Sequence, residues 1–210
     1  MLIMDVGSTK QDVVDAARRA LGAQFASFVP AHPNTGKEVA GVSHADAQLY
    51  RGAKVVLTPT AETYAPHVER AQALWQALGC QVRVMAPDTH DKAFAAISHL
   101  PHLLAFAIMN SVTAQPERDD FLALAGPGFR DFTRIAAGEP TMWRDILHAN
   151  KCEVIAQAQH FQQALAAFEA ALQADDTQAL QTLIAQASQA RAQCCFKAAT
   201  LAPTADPSNP

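Results

Sequence analysis

The segment Gly128-Phe129-Arg130-Asp131-Phe132-Thr133-Arg134-Ile135-Ala136, the run Ser98-His99-Leu100-Pro101-His102 and the dipeptide His32-Pro33 set charged or imidazole groups among apolar neighbours. A buried guanidinium or carboxylate is costly unless it is paired or meets a charged ligand. Three such clusters in one short chain point to a site for an anionic small molecule. His32 follows a strand-like run, and strand ends are where α/β sheets place reactive groups. Histidine titrates at about pH 6.5 and accepts a proton at neutral pH, so His32 is a candidate base. A hydrogen-bonded structural histidine is the competing reading. Ser8, in the turn Asp5-Val6-Gly7-Ser8, carries a hydroxyl able to orient a substrate or cofactor group, or to cap the helix that follows.

His99 and His102 lie three apart on one helix face. Without a His-Glu-x-x-His pattern or a third ligand at a suitable interval, they are read as core or substrate-contact histidines, and no metal site is expected. Arg130 and Arg134 are four apart beside Asp131, and a guanidinium can clamp a carboxylate with two hydrogen bonds. Surface ion pairing is the alternative. Trp143 in Met142-Trp143-Arg144-Asp145 suits either a pocket wall or the core.

These side chains need elements to carry them. The 210 residues are half apolar and only 17% charged, which excludes global disorder, and the net charge of −4 without any Lys/Arg-rich run argues against nucleic acid. The four cysteines form no Cys-x-x-Cys pair, which suits a reduced, cytoplasmic protein. The start is too polar for a signal peptide, and no apolar run is expected to reach the ~20 residues that span a bilayer.

Strand-like runs at 2–4, 25–29, 54–57 and 81–85 alternate with helical patterns at 11–21, closed by Gly22, and at 61–78, stopped by Gly79. That alternation predicts an α/β sheet. Beyond Pro87 the strand signal ends. The stretch 88–113 reads as one long helix in which Pro101 leaves the Ile97 carbonyl without its partner and kinks the rod. Apolar residues at Val154, Ala158, Phe161, Leu165, Phe168 and Leu172 follow a coiled-coil-like spacing, and a second helix carries Leu180, Leu183 and Ile184. The pair is either a hairpin packed on its own domain or a subunit interface. The tail, 201–210, is expected to be disordered.

In this order the motifs resemble the prephenate/arogenate (cyclohexadienyl) dehydrogenase family. The marks are Asp5-Val6-Gly7-Ser8-Thr9-Lys10, His32-Pro33 with Gly36 and Glu38, Leu57-Thr58-Pro59, His90-Asp91, Ser98-His99-Leu100-Pro101-His102, the Gly128 to Ala136 segment, and Pro140-Thr141-Met142-Trp143-Arg144-Asp145-Ile146. The resemblance implies the C-terminal part of a Rossmann-type sheet domain over 1–86, then an α-helical substrate-binding and dimerisation domain over 87–200, in a 6-phosphogluconate-dehydrogenase-like arrangement. It implies oxidative decarboxylation of prephenate or arogenate with NAD⁺ or NADP⁺ in tyrosine biosynthesis, by a homodimer. His32 would take the proton of the ring hydroxyl, and Ser8 would bind that hydroxyl and hold the nicotinamide, with Asp5 also on the cofactor side. Arg134 would bind a substrate carboxylate, His102 would line the pocket, and Arg130 would reach substrate from the partner subunit. Asp131 and Glu38 would form a polar network controlling access, and Trp143 would support the site.

The family's pyrophosphate-binding turn, Gly-x-Gly-x-x-Gly before a helix, has no counterpart in the 210 residues. The expectation is therefore a shortened chain holding the catalytic half-site and the dimer helices, with weak NAD⁺ affinity. Two further functions compete: a catalytically silent dimerisation or regulatory fragment, and another 6-phosphogluconate-dehydrogenase-like hydroxy-acid dehydrogenase.

Overall fold

A computed structural model describes residues 1–36 and 41–194. The expected tail at 201–210 lies outside the described residues. By contacts the chain forms two units, Met1–Gln159 and His160–Pro210, and every described candidate side chain belongs to the first.

Strand β1 (Ile3–Met4) pairs in parallel with β2 (Phe28–Val29). After Pro30 the chain re-enters extended structure as β3 (Ala31–Asn34), antiparallel to β4 (Lys54–Leu57), which pairs in parallel with β5 (Gln81–Val84). β1 and β2 thus form a two-stranded parallel sheet, and β3–β4–β5 a three-stranded mixed one. Residues 25–27, expected to be strand, belong instead to a 3-10 turn, Gly22–Ser27; His32 follows the strand Phe28–Val29 as expected, but it also lies within a further strand, β3. Proline is tolerated at position 33 because β3 is an edge strand. Val29, Ala31, Val55, Leu57, Ala71 and Trp75 make the core behind this sheet.

Helix α1 (Gln11–Leu21) stands where the apolar spacing put it. Helix α2 (Ala65–Ala77) begins four residues later than expected, because Pro66 suits the first turn and Thr60 and Thr63 form their own turn, the Thr60 amide donating to Thr63 Oγ1 at 3.0 Å. Gly79 ends α2 at φ +84°, with the Cys80 amide returning to the Trp75 carbonyl at 3.0 Å. That closure needs a left-handed residue.

From Pro87 to Thr113 the backbone is helical throughout: α3 (Pro87–Phe94), one π-helical turn (Ala95–His99) and α4 (Leu100–Thr113). The break expected at Pro101 takes this form, with the Leu100 amide reaching back to Ala95. Contrary to the sequence expectation, this run is long and apolar enough, by length and composition alone, to cross a bilayer. Only 22% of its apolar window is buried, so this chain leaves most of it uncovered. Short helices α5 (Arg118–Ala123) and α6 (Pro127–Thr133) precede α7 (Pro140–Ala149), whose first amides are capped by the Glu139 carboxylate. Two long helices close the described chain, α8 (Lys151–Gln173) and α9 (Thr177–Gln193). Val154 is buried, whereas Phe161, Leu165 and Leu172 of the predicted seam are exposed.

Candidate active site

β3, the turn before α1, the π-helical turn and α7 enclose a cavity of about 430 Å³. Ser8, His32, Tyr50, His99 and Trp143 are among its walls. Behind His32 runs a chain of polar contacts. Its Nδ1 lies 2.8 Å from His90 Nε2, and His90 Nδ1 lies 2.8 Å from Asp91 Oδ1. A carboxylate only accepts, so His90 carries its proton on Nδ1. A neutral His90 then offers the Nε2 lone pair to His32, whose proton sits on Nδ1. The remaining nitrogen of His32, Nε2, is a lone pair on the cavity side. Phe94 packs on both rings.

Burial, with the neighbouring His90, Lys10 and His99, pushes His32 down to about 3, against a smaller opposing pull from Asp91. His32 is therefore neutral across the physiological range. His99 is pushed down to about 4, by burial first. Its Nδ1 lies 3.1 Å from Asn150 Nδ2.

Asp91 also closes α1 from a distance. Lys10 holds the N-cap position without a capping side chain of its own, and Asp91 accepts from the Lys10 and Gln11 amides at 2.9 and 2.8 Å. The Lys10 ammonium is fully buried, paired with the Asp5 carboxylate and donating to the Ala31 carbonyl at 2.8 Å. Asp5 in turn accepts from the Gly7 and Ala31 amides. Both Asp5 oxygens are thus committed to the turn and to β3. The Ser8 hydroxyl, by contrast, lines the cavity with no partner among the described residues.

His102 stacks on Trp143 with ring centroids 3.6 Å apart, and its Nδ1 donates to the Ser98 carbonyl at 2.9 Å. Burial and the positive charge of Arg134 lower its proton affinity, against that hydrogen bond, so Arg134 acts on the ring beside the cavity wall. Arg130, Asp131 and Arg134 are nevertheless exposed and do not line the cavity. The burial expected for them falls instead to Lys10 and Asp91. Glu38 lies outside the described residues. No sequence motif marks a role for Lys10 or Asn150, and His90-Asp91 stands out only as a motif; the available signal is a helix start at Gln11 with no cap at position 10.

Trp143 fits against Gly138 so closely that a Cβ there would fall well inside 3.0 Å of the indole Nε1 and Cδ1. Gly138→Ala is expected to displace the indole and cost about 1–3 kcal/mol. In a Trp75→Phe background, a red shift of the remaining tryptophan emission and a lower thermal midpoint check this; unchanged emission counts against it.

The family model described as "Prephenate dehydrogenase, nucleotide-binding domain" matches residues 1–84, and "Prephenate dehydrogenase, dimerization domain" matches residues 86–186. A prephenate dehydrogenase of Bacillus subtilis is 38% identical over 156 residues, 74% of this chain and 42% of that protein. A cyclohexadienyl dehydrogenase of Zymomonas mobilis is 32% identical over 163 residues, 77% of this chain and 55% of that protein. The crystal structure of prephenate dehydrogenase from Aquifex aeolicus superposes with a TM-score of 0.85 at 33% identity, covering 92% of this chain and 68% of that one. A structure of the prephenate dehydrogenase from A. aeolicus in complex with hydroxyphenyl propionate and NAD⁺ gives 0.84 at 35% identity, covering 91% and 66%. The chain spans about half the length of the curated relatives it matches.

Proposed function

This chain belongs to the prephenate dehydrogenase family, and on that premise we propose that its cavity carries the oxidative decarboxylation of prephenate or arogenate, with His32 as the base. The observation that carries the reading is the neutral His32 Nε2 at the cavity, backed by His90 and Asp91. His32 takes the proton of the ring hydroxyl as the electron pair of the neighbouring C–H bond departs as hydride. As the ring carboxylate leaves as CO₂, its bonding pair enters the ring, which becomes aromatic, and the oxygen regains a proton. The positive charge on His32 during this step is met by the His90 ring and the Asp91 carboxylate behind it.

NAD⁺ or NADP⁺, when bound, supplies the hydride acceptor. The unpartnered Ser8 hydroxyl in the cavity wall fits a contact to the nicotinamide amide or the ring hydroxyl, whereas Asp5 serves by shaping the turn that presents it. In this reading Arg134 draws a substrate carboxylate toward His102, Trp143 supports the ring, Asp131 and Glu38 control access, and Arg130 reaches substrate from a partner subunit. We take 1–86 as the cofactor-side domain and 87–200 as the substrate and dimer domain. Homodimerisation would cover the apolar surface left on Pro87–Thr113 and on α8. The same reading puts the protein in the cytoplasm, in keeping with Cys80, Cys152 and Cys194 as free thiols.

The test uses the protein that carries this chain, with prephenate and arogenate and with each nicotinamide cofactor in turn. Reduced cofactor and CO₂ are expected in equal amounts. Failure of both substrates with both cofactors overturns the proposal.

A further inference from the structure

The Asn150 side chain sits at the C-terminal end of α7, buried, with its Nδ2 2.8 Å from the Asp91 carbonyl oxygen and 3.1 Å from His99 Nδ1. A carbonyl only accepts, so the amide edge facing it is the NH₂. With the oxygen there instead, two acceptors would meet at hydrogen-bond distance. The same nitrogen therefore donates to His99, whose Nδ1 is a lone pair and whose single proton resides on Nε2. His99 is only 1% exposed, sits in the π-helical turn and lines the cavity. Its low proton affinity keeps the ring neutral at pH 7. Among the described residues the cavity wall holds no Lys, Arg, Asp or Glu, so a carboxylate lying against this part of the wall meets neutral donors.

We infer that Asn150 is a positioning residue that locks His99 as the Nε2–H tautomer, and that His99 thereby donates a hydrogen bond to a carboxylate of the bound substrate. The cavity then carries two neutral imidazoles of opposite polarity, His32 accepting and His99 donating. The inference rests on the dehydrogenase reading for the identity of the ligand, not for the tautomer.

Two-bond ¹H–¹⁵N correlation of histidine-labelled protein reads the tautomer directly, with the His99 signals assigned by their loss in His99→Gln. At pH 7 His99 is expected to give the Nε2–H pattern. The Nδ1–H pattern overturns the inference. Asn150→Asp replaces the donor by an acceptor. It is expected to drive His99 to Nδ1–H and to weaken prephenate binding, measured by calorimetry without cofactor, by about 10-fold or more. Unchanged affinity with the tautomer switched overturns the donor role.

Gln at position 99 keeps an N–H where Nε2 stood. In that background the Asn150 substitution is therefore expected to lose most of its effect, and full additivity argues against the coupling. A loss confined to prephenate assigns the contact to the ring carboxylate, and a loss shared by hydroxyphenyl propionate assigns it to the side chain; either supports the inference. If Asn150→Asp fails to fold, Asn150→Ala replaces it, with a mixed tautomer expected and a pure Nε2–H pattern counting against the lock. Absence of prephenate binding in the unaltered protein, with Nε2–H intact, overturns the donor role and the dehydrogenase reading while the tautomer assignment stands.

Discussion

On the proposed reading, Asn in place of His32 is expected to lower kcat for prephenate by about 10²–10⁴-fold, the range a positioned general base contributes, with KM little changed. The substitution is informative because of what it keeps. The Asn amide can donate to His90 Nε2 as His32 Nδ1–H does, so the contacts running back to Asp91 persist. What disappears is the lone pair on the cavity side. A second signature concerns pH. Burial and the neighbouring His90 and Lys10 hold His32 at about 3, so the imidazole is already neutral well below pH 7. The wild-type rate is expected to lack an acid limb at the ordinary histidine value and to fall only as the pH approaches 4. A rate profile falling through about pH 6.5, with that limb lost in His32→Asn, would mean that the cavity is far more polar than its packing shows.

How much of this was legible in the sequence differs from element to element. α1, β4 and the stop at Gly79 stand where local signals put them, because an apolar repeat or a glycine with positive φ specifies each within a few residues. β3 was not legible. It is four residues long, contains Pro33, and pairs antiparallel with a strand beginning twenty residues beyond its own end. Its existence is decided by the partner strand, not by its own composition, and so the sequence places His32 after β2 without showing that it also lies in a second strand. The start of α2 was misplaced because the threonines of the Thr60–Thr63 turn resemble a helix cap, whereas Pro66 marks the true first turn.

The charged cluster misled for a different reason. Arg130, Asp131 and Arg134 lie among Phe129, Phe132 and Ile135, and apolar neighbours suggested an interior. Phe132 itself is 47% exposed, so the segment is not core within this chain, and Arg130, Asp131 and Arg134 are exposed. The charges that are interior, Lys10 and Asp91, sit in sequence with no such setting. Asp91 meets its partners eighty residues away, and no local pattern encodes that contact. The one available hint was negative: α1 begins after a lysine, and the orphan amides of a helix start must be satisfied by something. Ser8 was the nearest candidate in sequence, but the carboxylate from α3 takes the position and leaves the serine hydroxyl for the cavity.

Asp91→Ala is expected to cost about 3–5 kcal/mol of folding stability, the scale of removing one partner from a buried charged network. The carboxylate is only 5% exposed and holds three donors, the Lys10 and Gln11 amides and His90 Nδ1. Alanine leaves all three without an acceptor in the interior and frees His90 to turn, so kcat falls along with stability. The pH dependence separates this from simple loss of packing. Burial pushes Asp91 up, but the bonds from His90 and from the Gln11 and Lys10 amides outweigh it and hold the carboxyl below its ordinary 3.8. A depressed carboxyl contributes stability above its unfolded value and loses it as pH falls through the folded one. His32 and His99, held at about 3 and about 4, act in a higher window. They are neutral when folded and take up protons on unfolding, so stability rises with pH from about 4 to about 6.5, by up to ~1.4 kcal/mol per pH unit for each. Urea unfolding between pH 3 and 8 should show the histidine slope in wild type and Asp91→Ala alike. The gap between the two proteins should narrow only below about pH 4, the ordinary carboxyl value at which Asp91 of the unfolded chain begins to take up a proton. A gap that is constant down to pH 3 would mean that the side chain acts through its volume rather than its charge, and the chain of contacts behind His32 would then lack its anchor.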